Sequence, residues 1–288
     1  MPREGRPKRF VLAAALLGVA SAAACSGGAS NEGDAAASTT TTTGVITTTT
    51  AEATTTTVAI TTTTTPPTTT SPPPDSAPPA GPVVLPPLDP GEVLARGTNS
   101  EHVLALQQKL VELHFDPGPI DGEFGTKTTQ AVWAFQHLNG LAADGQVGPE
   151  LWQLLATAPA PEPLRPDGGP DRVEISIDQQ VLRVYQGGAL MLATHISTGT
   201  GMDYCDNGLC GTAITPTGDF TFLRRIDGWH TAPLGELYNP VYFDGGYAVH
   251  GSRSVPDHPA SHGCVRIPMH IAEYFPDLVT NGEPVFVV

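Results

Sequence analysis

The stretch DRVEISIDQQVLRVYQGG, residues 171–188, decides how the C-terminal part of this chain folds. Val173, Ile175 and Ile177 alternate with polar neighbours, the period-two spacing of a strand. Asp178 interrupts the run. In the next one Val181, Arg183 and Tyr185 fall on one side and Leu182 and Val184 on the other, before Gly187-Gly188 closes it. Turn signals return at Gly199, Gly201, Asp227-Gly228 and Gly245-Gly246. No long helical period is present until about residues 269–275. Residues 171–288 therefore read as a mainly-β domain, a sandwich or small barrel.

Working back from there, residues 158–170 (APAPEPLRPDGGP) form a proline-rich, semi-stiff linker. Before it, residues 91–157 read as helical. Thr98 and Glu101 have capping-box spacing and open a segment with Val103, Leu106, Leu110 and Leu113 at three-to-four intervals. Asp121-Gly122-Glu123-Phe124-Gly125 precedes a second amphipathic segment with Val132, Phe135 and Leu138. Asp144-Gly145-Gln146-Val147-Gly148 repeats that turn before Pro149, a natural first helical residue. The expectation is a three-helix module, in which His102, His114 and His137 are solvated or half-buried helix residues rather than metal ligands. Leu106-Gln107, Gly118-Pro119-Ile120-Asp121-Gly122, Phe124-Gly125, Thr128, Ala131-Val132, Phe135-Gln136 and Gly140-Leu141 resemble, in order, peptidoglycan-binding modules of the PG_binding_1 type. The resemblance implies a cell-wall polymer as partner.

The N-terminal third has a different character. Threonine fills 21 of the 32 positions from 39 to 70, and proline 11 of the 25 from 66 to 90. Such composition cannot offset the entropy of ordering a chain, so residues 25–90 read as a disordered tether. Ahead of it, Arg3, Arg6, Lys8 and Arg9 precede a short apolar run, and Ala22-Ala23-Ala24-Cys25 follows. Residues 1–24 read as an export signal, followed either by ordinary cleavage near Ala24 and secretion or by Cys25 as a lipidated N-terminus that anchors the protein to the outer face of a bacterial membrane. The balance of 14 basic against 29 acidic residues, net charge −15, argues against nucleic acid as a partner.

Export places four cysteines where disulfides survive. Cys205-Asp206-Asn207-Gly208-Leu209-Cys210 is symmetric about Asn-Gly, the strongest short hairpin signal. That puts Cys205 and Cys210 opposite each other within disulfide range. Cys264 is then left unpaired inside Ser261-His262-Gly263-Cys264-Val265-Arg266. In extended backbone His262 and Cys264 point to one side, with Gly263 leaving room between them. An imidazole beside a thiol favours the nucleophilic thiolate. The amides of Gly263 and Cys264 are candidate oxyanion donors, and Ser261 a candidate to orient the imidazole.

With Ala248-Val249-His250-Gly251 upstream and Thr215-Pro216-Thr217-Gly218-Asp219-Phe220 further back, these residues resemble the L,D-transpeptidase (YkuD) family, whose signature is H-G, a loop, then [S/T]-H-G-C followed by Arg or Asn. Only ten residues separate His250 from Ser261 here. The resemblance implies Cys264 as the acylated nucleophile, His262 as its base, and His250 assisting within the site. Ser261 and Gly263 complete the catalytic group, and Arg266 and Gly251 belong to the substrate side. It implies no cofactor and no metal. The implied reaction releases D-alanine from a peptidoglycan stem tetrapeptide and transfers the acyl group to an amine of another stem. Water as acceptor (a carboxypeptidase), a zinc hydrolase using His250, His258, His262 or His270, and a non-catalytic wall-binding protein stay open beside it. Trp229, Tyr238 and Tyr242 are candidates to cover the site, with core or surface packing an equal alternative for each.

Overall fold

The computed structural model describes residues 81–288. The export signal, Cys25 and the tether up to residue 80 lie outside the described residues.

Three helices come first: α1 (Glu101–Glu112), α2 (Thr126–Leu138) and α3 (Pro149–Thr157). Val103, Leu106, Leu110 and Leu113 are buried on one side of the first helical segment, as their spacing predicts. The cap differs from the expected box. Ser100 is the N-cap of α1 and its hydroxyl accepts from the Val103 amide. Thr98 instead accepts from the Ala95 amide and closes the turn before it.

The repeated D-G turns have one physical cause. The Gln107 side chain accepts from the amides of Asp121 and Gly122 and donates to the Asp121 carboxylate and the Glu123 carbonyl. One turn later in the chain, Gln136 accepts from Gly145 and donates to Asp144 and the Gln146 carbonyl. Each buried glutamine thus satisfies a turn that presents no regular backbone ladder. Gly122 and Gly145 hold φ of 78° and 69°, which only glycine adopts freely. Gly125 and Gly148 are the N-caps of α2 and α3.

Twelve strands follow. One sheet runs β3 (Ala189–His195), β2 (Val181–Gln186), β1 (Arg172–Ser176), β12 (Pro284–Val287) and β6 (Gly218–Thr221). The second runs β11 (Val265–Pro268), β10 (Tyr247–Ser252), β9 (Gly235–Asp244) and β7 (Arg224–Arg225), with β8 (Trp229–Ala232) also on β9. β1 with β12 and β10 with β11 are parallel pairs. β4 (Asp203–Asp206) and β5 (Leu209–Thr212) pair only with each other. The helical period near residues 269–275 resolves into two single turns, α4 (Met269–Ala272) and α5 (Phe275–Leu278).

Val173, Ile175, Leu182 and Val184 enter the core between the sheets with Val249, Val265 and Ile267. The opposite face of β2 is buried too: Val181 and Tyr185, with Leu190 and Ala193 of β3, share one core with Phe115 and Phe135 of the helical module. That is why every residue of 181–185 is buried, Arg183 included, the pattern of a strand covered on both faces. The same junction carries polar ties. Ala193 donates its amide to the His114 carbonyl, Tyr274 donates its hydroxyl to Asp116, and the imidazoles of His137 and His195 stack with centroids 5.7 Å apart. The connecting segment 158–170 is likewise bound. The amides of Leu164 and Arg165 donate to the buried Glu174 carboxylate, and the Arg165 guanidinium pairs with Asp219 and lies over the Phe286 ring.

Candidate active site

β10 and β11 set the floor of the site. Their register pairs Val249 with Val265 and His250 with Arg266. Val249 and Val265 enter the core, so the next residues along each strand face the other way. There His250, Cys264 and Arg266 line a cleft of about 370 Å³. One wall is the β4–β5 hairpin, through Tyr204 and Leu209; the other is the turn between β8 and β9, at residues 232–237.

The segment 261–264 is a tight turn rather than extended backbone, so the expectation that alternation aligns His262 with Cys264 does not apply. Ser261 makes the turn: its hydroxyl donates to the Cys264 carbonyl at 2.6 Å and accepts from the Gly263 amide at 3.0 Å. It does not touch the His262 imidazole. The Gly263 amide, expected as an oxyanion donor, is therefore engaged, whereas the Cys264 amide makes no hydrogen bond among the described residues. Gly263 has φ of 134°, and a Cβ there would lie 2.6 Å from the Tyr247 ring and 2.7 Å from the Ile214 carbonyl oxygen. No other residue fits.

Residues distant in sequence clamp this turn. The Thr198 carbonyl accepts from the amides of Ala260 and Ser261, and Thr200 donates its amide to the Ser261 carbonyl. Thr215 donates to the Gly263 carbonyl and accepts from the Gly199 amide. Gln180 holds Thr198 through both backbone amide and hydroxyl. The ten-residue loop is pinned to the same strand end, by His195 on the Pro256 carbonyl and Ser197 on the His258 carbonyl.

The two cleft histidines differ. His250 is 5% exposed, and its Nδ1 donates to the Gly251 carbonyl at 2.9 Å. A carbonyl only accepts, so the Nδ1 carries the hydrogen and Nε2 keeps a lone pair. Burial pulls this imidazole down to about 4, Arg266 adding to the effect. His262 sits at the rim, with Nε2 2.7 Å from the Asp206 carboxylate and the Tyr204 ring edge against it at 4.8 Å. Burial also pushes the Cys264 thiol up, more than the Ala248 amide and the Arg266 charge pull it down. Desolvation thus works against the ready thiolate that the sequence suggests, outweighing the charges, and keeps the His250 imidazole neutral above about 4.

Three further positions differ from expectation. Gly251 does not line the cleft; a Cβ there would meet the Ala272 Cβ at 2.6 Å and the Tyr238 side chain at 3.2 Å, so its glycine lets α4 approach β10. Tyr242 packs with Leu237, Ala248 and Cys264, beneath Arg224. Trp229 packs at a tilt against Tyr238 with the Arg253 guanidinium over its ring, away from the lining of the cleft. The aromatic residues that do line it are Tyr204 and Tyr247. Cys205 and Cys210 are register partners across β4 and β5 with Cα atoms 4.1 Å apart, and they are disulfide-bonded. His258 is exposed beside Asp257 and His270 lies against Asp116, so neither joins the cleft. Among the described residues, no group of three or more His, Cys, Asp or Glu is placed to hold a metal ion.

Nothing in the sequence directs Asp206 of the hairpin motif to His262, 56 positions away, or marks Thr198 and Gln180. Thr215 lay within a quoted motif, but its bond to Gly263 is visible only in three dimensions.

The cleft thus brings together a free cysteine on a clamped turn and a buried histidine on the adjoining strand, in a β domain whose outer sheet face is covered by a helical module. The L,D-transpeptidase catalytic domain model (YkuD) matches residues 170–287, and the peptidoglycan binding domain model (PG_binding_1) matches residues 99–155. An L,D-transpeptidase structure from Xylanimonas cellulosilytica is 39% identical, with a TM-score of 0.66, over 70% of this chain and 100% of that one. The chain belongs to the L,D-transpeptidase family. Curated relatives match shorter parts. The spore cortex-lytic enzyme of Bacillus cereus is 39% identical over 67 residues, 23% of this chain and 26% of that protein. The N-acetylmuramoyl-L-alanine amidase CwlM of Mycobacterium tuberculosis is 46% identical over 55 residues, 19% of this chain and 14% of that protein. The chain thus spans between a seventh and about a quarter of these two relatives.

Proposed function

We propose that this protein is a cysteine-dependent L,D-transpeptidase acting on peptidoglycan stem tetrapeptides. The observation that carries the reading is that Cys264, just before β11, and His250 of β10 line the same open cleft. In the first half-reaction Sγ attacks the carbonyl carbon of the third stem residue as its proton passes to His250 Nε2. His250 is the better placed base for this step because it is buried in the cleft whereas His262 is 30% exposed, and its bound Nδ1 leaves the Nε2 lone pair free. The tetrahedral oxyanion takes the unengaged Cys264 amide. His250 then returns the proton to the leaving D-alanine nitrogen, and a thioester remains on Cys264. A thiol pushed up by burial and an imidazole neutral above about 4 suit this sequence, since charge forms only as the bond does.

In the second half-reaction the amine of another stem resolves the thioester, giving a cross-link between two third residues. Arg266, on the same face as Cys264, is suited to a stem carboxylate. The helical module holds the polymer near the cleft. Export by residues 1–24, lipidation at Cys25 and a tether over residues 25–90 would place the enzyme between the outer membrane face and the wall it modifies. Among the described residues no helix is long and apolar enough to cross a membrane.

The test is Cys264→Ser with a tetrapeptide donor and a D-amino acid acceptor. Transfer and the thioester mass adduct should both disappear; transfer at the wild-type rate would overturn the assignment.

A further inference from the structure

The β4–β5 hairpin has no core of its own. Most of its residues are exposed, it pairs with neither sheet, and an isolated two-stranded hairpin is marginally stable in water. Yet it is fixed at three points. The Cys205–Cys210 disulfide closes it. Asn207 and Gly208 form its turn with φ of 52° and 80°, and the Asn207 side chain donates to the Pro233 carbonyl in the turn across the cleft. The third point is Asp206 on His262 Nε2 at 2.7 Å, with the Tyr204 ring edge on the same imidazole.

That last contact determines what His262 can do. The carboxylate accepts, so Nε2 carries the hydrogen and Nδ1 keeps the lone pair. The His262 side chain is 30% exposed and that of Asp206 54%, whereas His250 lies on the floor. Once a thioester occupies the floor, an acceptor arriving from solvent meets His262 at the rim.

We propose that Asp206 and His262 form a second base, distinct from His250, that takes the proton of the acyl acceptor, and that the disulfide-closed hairpin serves to hold Asp206 in place. The proposal rests on the acyl-transfer reading above and divides its two half-reactions between two histidines. In the second, the acceptor nitrogen bonds to the thioester carbonyl carbon and loses a proton to His262 Nδ1. The C–S bond breaks with its electron pair on sulfur. His262 returns its proton to solvent and the thiolate takes one up, so the net change moves one proton from amine to sulfur. Asp206 touches no reacting atom: it is a positioning residue, and it supports the imidazolium as it forms.

The experiment separates the half-reactions in the full chain. Thioester formation from a tetrapeptide ending in D-alanine is followed by intact mass without acceptor, and transfer is followed with D-methionine added. Wild type is compared with Asp206→Asn, Asp206→Glu, His262→Gln and a Cys205→Ser/Cys210→Ser pair. Asp206→Asn should acylate at the wild-type rate while transfer falls roughly tenfold, and His262→Gln should lose transfer on the order of 100-fold, in the range of general base catalysis. In both, the thioester becomes the main enzyme form at steady state. Asp206→Glu should recover part of the loss, and the cysteine pair should behave like Asp206→Asn. Acylation and transfer falling together in Asp206→Asn, or neither changing, overturns the proposal. A wild-type chain that forms no thioester overturns the acyl-transfer reading itself, so the two failures are distinguishable.

Discussion

Replacing Gly263 by alanine tests whether the catalytic turn is built as described. The added Cβ would stand 2.6 Å from a Tyr247 ring carbon and 2.7 Å from the Ile214 carbonyl oxygen, at a φ of 134°. Backbone strain in that region costs about 1–3 kcal/mol, and forcing a methyl group into filled space costs about 1–3 kcal/mol more. Tyr247 can yield by rotating into the cleft it lines, but the Ile214 carbonyl is backbone, next in the chain to Ala213 and Thr215, which contact Gly199. The expected loss is therefore roughly 4 kcal/mol of folding stability, or a displaced turn that relieves part of it. Displacement moves Cys264, and a shift of about 1 Å at a reacting atom costs on the order of 100-fold in rate. Urea unfolding measures the first quantity, and the rate of Cys264 acylation by a reactive β-lactam, read by intact mass, measures the second. A variant within about 0.5 kcal/mol of wild type that also acylates normally would refute the account of this turn, since ordinary surface substitutions stay inside that range.

Three further outcomes are expected. Because His250 is neutral above about 4 and the Cys264 thiol is raised, the acylation rate should be flat from about pH 5 to 8; a fall centred near 6.5 would mean that an unshifted imidazole is the base. His195 and His250 both stay neutral in the folded protein down to about 4, whereas the unfolded chain protonates them near 6.5. Unfolding then takes up protons as pH drops, so stability present at neutral pH is lost between about 6.5 and 4, on the order of 3 kcal/mol for each imidazole; a His195→Gln variant with an unchanged slope in pH-dependent urea unfolding would contradict this. Gln136→Leu should destabilise the helical module by about 2 kcal/mol, because it strands the buried Gly145 amide; unaltered unfolding of the Trp152-bearing module by fluorescence would count against it.

Much of this was legible in the sequence because it depends on local physics. Period-two and three-to-four spacing located strands and helices, since a buried face must repeat with its element. Asn207-Gly208 marked a hairpin because both residues accept positive φ, and the cysteine left outside that hairpin drew attention to Ser261-His262-Gly263-Cys264. Even the need for glycine at 263 could be anticipated, though as space for an imidazole, whereas the space in fact belongs to Tyr247 and Ile214.

What the chain could not disclose locally is who meets whom. The side chain of Ser261 turned to its own backbone, and Nε2 of His262 turned to Asp206. His250 became the buried histidine of the floor, with its free nitrogen set by the neighbouring Gly251 carbonyl. Residues 181–185 alone did not reveal that a helical module covers their outer face, which made a tethered pair of units into one shared core. The state of the thiol followed the same rule: a sequence shows an imidazole nearby, but burial of the charge is a property of everything packed around it, and here burial prevails. Sequence alone determined which elements form and which atoms are chemically able to react. Only the tertiary structure decided which of those atoms are paired, because hydrogen bonding and desolvation are settled between residues that the chain keeps far apart.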